Sequence, residues 1–261
     1  MNPYSFLCYL NYLRSSKNAH ALHSPFIYDL YTQVILNDEN FYAFEKINEI
    51  RSKILKDETT IEFKEFGAGS RTLSGSKRVV SQIARNGITK EKYARLLFRI
   101  INHYKYKEII EIGTSVGLTT LYLASPSSRA KIFSFEGNDS LINYAKNISI
   151  TYGAENIEYI PGNFDISLLE FIEKSGPIDL IFFDGNHRKK PTLNYFELAL
   201  KRKHNNSIFI FDDIYWSKEM TEAWSEIKAN PEVTIAIDLF QFGLVFFRQE
   251  NKIKEDLVLR F

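Results

Sequence analysis

Three acidic residues stand where apolar runs end: Asp184 after residues 178–183, and Asp212 with Asp213 after residues 207–211. Carboxylates crowded at the ends of neighbouring buried strands repel one another and lose hydration, so packing alone gives little reason to place three there. An oxygen-seeking divalent cation resolves the conflict, because Mg2+ or Mn2+ takes carboxylates together with waters and substrate oxygens. The competing reading is three helix caps exposed at a sheet rim. His187, three residues past Asp184, adds an imidazole, a group able to take up a proton. Its plainer role is a rim histidine.

A second group lies upstream. The run Glu108-Ile109-Ile110-Glu111-Ile112 ends at Gly113-Thr114-Ser115-Val116-Gly117, and a helical pattern follows from Leu118. Strand, glycine turn and helix is how an open α/β sheet brings main chain close to a nucleotide-like ligand. Ser115 stands where a dinucleotide fingerprint needs its second glycine, which argues against a pyrophosphate and for a nucleoside without phosphates. Glu136 closes the next strand, residues 131–135, about twenty positions on, where an acid binds ribose hydroxyls. An acid favoured by a helix N-terminus is the alternative. The turn Pro161-Gly162-Asn163-Phe164-Asp165 ends a third strand, and either frames an adenine ring or simply caps the next helix.

These residues require strands alternating with helices from residue 107 onward, hence a parallel sheet. Runs 233–239 and 243–248 are separated by only three residues, too few for a crossover, so they form an antiparallel hairpin. Before residue 105 the pattern is mainly helical: 4–14, 25–36 opened by Ser24 and Pro25, 41–56, 79–86 and 90–104. Residues 61–66 alternate like a strand, and Gly67-Ala68-Gly69-Ser70-Arg71 reads as a loop, either a connector or a clamp for an anion. The domain reading is therefore a helical appendage, 1–104, serving as substrate pocket or lid, and an α/β domain, 105–261. His20 and His23 lack a third ligand at matching spacing and read as packing or capping residues.

The 261 residues carry 33 basic and 32 acidic side chains, net +1, so no nucleic-acid or anionic-membrane partner is indicated. A single cysteine, Cys8, excludes an intrachain disulfide and fits a reducing, cytoplasmic setting. No run is long enough to span a membrane and no signal peptide is expected. The apolar helix 4–14 reads as a docking element, against the main domain or in a homodimer.

The Glu-x-Gly-x-x-x-Gly turn, Glu136, the strand-end aspartates and the closing hairpin together resemble the class I S-adenosylmethionine-dependent methyltransferases, over residues 107–248. The aspartates resemble those of the catechol O-methyltransferase branch. That branch has Asn where Asp213 stands and Lys where His187 stands. The N-terminal part resembles uncharacterised bacterial methyltransferase-like proteins carrying His-Ser-Pro-Phe. The resemblance implies a Rossmann-like, seven-stranded, mostly parallel sheet whose last strand is antiparallel. It implies S-adenosyl-L-methionine held by Glu111, Gly113, Thr114, Ser115, Gly117, Glu136, Gly162, Asn163, Phe164 and Asp184. It also implies a metal on Asp184, Asp212 and Asp213, with methyl transfer to a hydroxyl oxygen of a small-molecule acceptor; His187 is read as the base from its position beside Asp184, not from the resemblance. The rivals are metal-free transfer to nitrogen or carbon on the same fold, a non-catalytic nucleoside-binding protein, and, least favoured, a nicotinamide dehydrogenase.

Overall fold

The computed structural model describes residues 2–62 and 77–261, so most of the expected strand 61–66 and all of the loop 67–71 lie outside the described residues. Helix α1 (Pro3–Ser15) opens at Asn2, whose side chain accepts the Ser5 N–H at 2.7 Å. Helix α2 (Pro25–Asp29) starts after Ser24 but does not continue to residue 36 as an α-helix; it widens into a π-helix, Leu30–Ile35. The wider coil keeps Leu30, Tyr31, Val34 and Ile35 all buried. Then follow α3 (Tyr42–Ile54), the antiparallel pair β1 (Thr60–Glu62) and β2 (Lys77–Val79), α4 (Val80–Gly87) and α5 (Glu91–Tyr104).

From β3 (Glu108–Ile112) the alternation is strict: α6 (Leu118–Ala124), β4 (Lys131–Glu136), α7 (Asp139–Tyr152), β5 (Ile157–Pro161), α8 (Phe164–Lys174), β6 (Leu180–Phe183), α9 (Lys189–Leu200), β7 (Ile208–Phe211) and α10 (Lys218–Ala229). The chain then turns to strands alone: β8 (Ile235–Asp238), β9 (Gly243–Phe246) and β10 (Glu255–Val258). No helix among the described residues is long and apolar enough to cross a membrane.

Two compact units divide the chain: Asp38–Glu173, and Met1–Asn37 with Lys174–Phe261. In the first, β3, β4 and β5 pair in parallel, so their carboxyl ends share one edge. Asn138 caps α7 through its side chain and also donates to the Glu62 carbonyl, tying the β1–β2 pair to that edge. Helices α3, α4 and α5 form a shared apolar core with α6 around Phe44, Ile47, Phe98 and Tyr122.

In the second unit the strand order is β10-β8-β9-β7-β6. β6 and β7 are parallel, β9 is antiparallel to both β7 and β8, and β8 therefore runs in the direction of β7. The expected hairpin is β8–β9. Apart from the β1–β2 pair, the expected seven strands are corrected to eight among the described residues, β3–β5 in one unit and β6–β10 in the other. The additional one, β10, pairs parallel to β8, so the last strand of the chain is parallel and the antiparallel one lies inside the order. Its sequence, Glu-Asp-Leu-Val, is half acidic because it lies at the outer edge of that order, where one side needs no apolar cover.

Candidate active site

The turn after β3 is built by main-chain bonds onto the end of β4. Gly113 N–H and Thr114 N–H both donate to the Phe135 carbonyl, at 3.0 and 3.1 Å, and Ser115 N–H donates to Glu136 Oε2 at 2.9 Å. Every second residue of the turn has a φ value that favours glycine: Gly113 at 105°, Ser115 at 51° and Gly117 at 78°. Ser115 thus holds a left-handed conformation without being glycine. Gly117 has a second reason to be glycine. A Cβ there would lie 2.7 Å from Ala145 Cβ and 3.1 Å from its Cα, so the absent side chain lets α6 start against α7. Sequence reasoning assigned Gly117 to the ligand; the structure also makes it the contact point of two helices.

Glu136 ends β4 with each carboxylate oxygen on a main-chain donor, Oε2 on Ser115 and Oε1 on Asn138 at 3.0 Å. Burial pushes its pKa up, opposed by the N–H groups of Ser115, Asn138 and Gly137. Each oxygen keeps a further lone pair for a hydroxyl donor. Gly162, at φ 118°, donates its N–H to the Glu136 carbonyl, which brings the β5 end beside the same acid. Asn163 is exposed and accepts the Asp165 N–H at 3.0 Å, the capping role weighed from sequence; Phe164 is half-buried as the first residue of α8.

Glu111 lies beneath this turn with no accessible surface. Thr120 Oγ1 and Ser134 Oγ lie 2.6 and 2.5 Å from its Oε2, and Ser134 Oγ is also 2.5 Å from Thr114 Oγ1. Neither Thr120 nor Ser134 was singled out from sequence. The available signal was Ser134, a hydroxyl inside the otherwise apolar run of β4.

The second unit carries the other expected group at the carboxyl ends of β6, β7 and β8. Asp184 follows β6 and is largely buried, and His187 Nε2 lies 3.5 Å from its Oδ1. Asp212 follows β7, is buried, and shares a hydrogen bond with the Asp184 carboxyl. Asp212 Oδ1 also accepts Asp213 N–H at 2.8 Å and Gln241 Nε2 at 3.1 Å. Burial, then the Asp213 charge, pushes Asp212 up to about 8, against the pull of those hydrogen bonds. Two carboxyl groups share a hydrogen bond only when one of them carries a proton, so Asp184 and Asp212 act as a proton-sharing pair. Asp213 sits at φ 53°, Asn186 at 55° and Phe240 at 71°, one left-handed non-glycine residue beyond each strand. Gln241, missed from sequence, has its Oε1 buried without a hydrogen-bond partner. Among the described residues, no group of three or more His, Cys, Asp or Glu side chains could hold a metal ion.

Comparison with known proteins bears on this arrangement. Residues 110–214 match a family model described as a methyltransferase domain, a span from inside β3 to just beyond Asp212 and Asp213. This stretch is therefore similar to a methyltransferase domain. Among curated proteins it is 25% identical to uncharacterized protein R132 of Acanthamoeba polyphaga mimivirus over 158 residues, 55% of this chain and 70% of that one. Among solved structures it resembles an O-methyltransferase from Bacillus cereus in complex with SAH, with TM-score 0.55, 18% identity and coverage of 84% of this chain and 96% of that one. It also resembles the O-methyltransferase TomG from Streptomyces achromogenes, involved in tomaymycin synthesis and solved with SAM, with TM-score 0.57, 16% identity and coverage of 84% and 95%. The expected class I methyltransferase fold and the expected enzyme class are thereby borne out.

Proposed function

We propose that the protein transfers the sulfonium methyl of S-adenosylmethionine to a hydroxyl oxygen of a small-molecule acceptor. The observation that carries the reading is the occupancy of the β3 turn. The N–H groups of Gly113, Thr114 and Ser115 are all bonded to the end of β4, which withholds those three amides from a pyrophosphate and keeps Glu136 for a ribose. A nucleoside without phosphates fits, and a dinucleotide does not. The methyltransferase family match and the resemblance to O-methyltransferases solved with S-adenosyl compounds support the same cofactor and an oxygen acceptor. Gly162, Asn163 and Phe164 would flank the adenine end of the cofactor, and Asp184 would serve its methionine end.

The reaction is an in-line displacement. An acceptor oxygen attacks the methyl carbon, the carbon–sulfur bond breaks, and the sulfonium becomes the neutral thioether of S-adenosylhomocysteine, while the hydroxyl proton passes to a base. His187 is the proposed base, with Asp184 beside its Nε2 to orient the ring. The cation expected on Asp184, Asp212 and Asp213 does not fit the residues as placed, because Asp184 and Asp212 meet each other instead of gathering with Asp213 as a ligand set. The proposed steps therefore run on the proton-sharing pair and His187. Calorimetry should detect binding of S-adenosylhomocysteine and not of NAD; protein that ignores both S-adenosyl compounds sinks the reading. Activity on an identified acceptor should survive EDTA, and loss in EDTA with recovery in Mg2+ or Mn2+ restores the metal-assisted version.

A further inference from the structure

The acid under the cofactor turn has an arrangement that an ionised carboxylate cannot satisfy. Glu111 reaches the end of β3 with no exposure, and all of its short contacts fall on one oxygen. Oε1 is buried without a hydrogen-bond partner. A carboxylate spreads its charge over both oxygens, so leaving one bare in an apolar interior costs far more than leaving the carbonyl oxygen of a neutral acid bare.

Proton counting points the same way. Four contacts link the group: Thr120 Oγ1 to Glu111 Oε2 at 2.6 Å, Ser134 Oγ to Glu111 Oε2 at 2.5 Å, Thr114 Oγ1 to Ser134 Oγ at 2.5 Å, and Thr114 Oγ1 to the Phe135 carbonyl at 3.1 Å. The three hydroxyls bring one proton each. With Glu111 ionised, the single Thr114 proton must serve both Ser134 and Phe135. A proton on Glu111 Oε2 supplies the fourth: Thr120 donates to Glu111, Glu111 to Ser134, Ser134 to Thr114, and Thr114 to the Phe135 carbonyl.

We propose that Glu111 is held as a neutral carboxylic acid whose proton completes a hydroxyl relay from Thr120 through Ser134 to Thr114, and that it is a positioning residue for the cofactor turn. The relay ties α6, β3 and β4 together at Thr114, whose own N–H and hydroxyl both reach the Phe135 carbonyl. Glu111 thus reaches the ligand through the turn it fixes. The groups that face it electrically are Glu136 on β4, whose charge disfavours a second carboxylate, and the phenol Tyr159 on β5. Burial, the dominant cause, and Glu136 push its pKa up to about 8, against the hydrogen bonds of Ser134 and Thr120.

The consequence for cofactor binding rests on the function proposed above; the protonation state does not, and the test separates them. An infrared difference spectrum of wild type minus Glu111→Gln near pH 6 should contain the carbonyl stretch of a protonated carboxylic acid, and the band should vanish as pH rises past about 8. No such band near pH 6 overturns the proposal. Should Glu111→Gln fail to fold, Ser134→Ala replaces it: loss of the relay partner shifts the band if Glu111 is neutral, and an unchanged carbonyl region overturns the idea. Calorimetry with S-adenosylhomocysteine reads the positioning role. Wild-type affinity should fall about tenfold one pH unit above the transition, as the neutral fraction does, while Glu111→Gln shows no such fall. A fall of equal size in both proteins overturns the positioning role. If no S-adenosyl compound binds wild type, the proposed function falls and the infrared band still decides the proton.

Discussion

The two strand-end edges each bury an acid and push it to about the same place, for different reasons. Glu111 is sealed by hydroxyls, and its nearest charge is Glu136 on the neighbouring strand. Asp212 is opposed by the charge of Asp213, next in the chain, and is steadied by its hydrogen bonds with the Asp184 carboxyl, the Gln241 amide and the Asp213 N–H. Both reach about 8, with burial as the first cause. A hydroxyl-sealed acid has its proton fixed in a relay. A carboxyl-paired acid holds a proton that its partner can also take, and it lies beside a histidine at the mouth of the strands. The first arrangement suits holding a turn in place, the second handling a proton.

The largest effects should come from breaking each edge by its own means. Gly113→Val should abolish S-adenosylhomocysteine binding in calorimetry, because Gly113 sits at φ 105°, a conformation that a branched residue rarely adopts. His187→Ala should lower turnover by roughly a hundredfold or more, the usual scale of general-base catalysis, and leave cofactor affinity nearly unchanged. Wild-type turnover in His187→Ala on a confirmed acceptor would remove the histidine from the reaction and leave the Asp184–Asp212 pair as the proton acceptor.

Smaller, and still measurable, is the packing contrast. Gly117→Ala drives a Cβ to 2.7 Å from Ala145 Cβ while φ stays at 78°. Gly243→Ala drives one to 2.7 Å from the ring of Trp224, at an ordinary backbone conformation. Both overpack by similar distances, but only the first adds left-handed strain. Urea unfolding should therefore show Gly117→Ala losing about 3 kcal/mol or more and Gly243→Ala about 1–3 kcal/mol. Equal losses would mean that backbone strain adds nothing at the turn.

The pH dependence of stability tests both acids together. Free Glu and Asp titrate at 4.5 and 3.8, and the folded chain holds Glu111 and Asp212 near 8. Between those limits the folded state keeps protons that the unfolded state has released. The two acids therefore make stability fall as pH rises through that window and level off above about 8. Glu111→Gln should remove one part of the slope and Asp212→Asn the other. A wild-type stability contribution that rises with pH across the window, unaltered by either variant, would place both acids in the ionised form.

The smallest expected effect concerns the left-handed residues. Ser115→Gly in one unit and Asp213→Gly in the other relieve φ values of 51° and 53°, and each should stabilise by at most about 1 kcal/mol once the greater freedom of unfolded glycine is counted. A destabilisation at either site would show that its side chain contributes more than its strain costs.

Much of this was legible beforehand, because short apolar runs with period-free burial mark β3, β4, β6 and β7, and glycines mark where they stop. The β8–β9 hairpin could be read from the three-residue gap. Strand β10 could not, since Glu255 and Asp256 make half of it polar at an outer edge. The π-helical stretch after Asp29 was hidden because its apolar residues suit an α-helix equally well. At the site, carboxylates and glycines announced themselves by type. Their governing neighbours did not: Thr120, Ser134 and Gln241 are ordinary residues whose importance comes from a partner 9, 23 and 29 positions away. Spacing shows what stands at a strand end, whereas the state of an acid depends on what another element brings to it.

The tyrosines of the N-terminal segment illustrate a different economy. Tyr12 donates to the Leu259 carbonyl at 2.7 Å and accepts the Phe261 N–H at 2.9 Å, and Tyr31 donates to the Arg260 carbonyl at 2.8 Å. Each of these bonds addresses the main chain, whose carbonyl every amino acid supplies and whose N–H every one but proline supplies. Substitutions at Arg260 and Phe261 can therefore accumulate without loosening this attachment, while a single Tyr12→Phe change severs two bonds at once. Variation among related chains should thus be lopsided here, permissive on the strand side and narrow at the phenols.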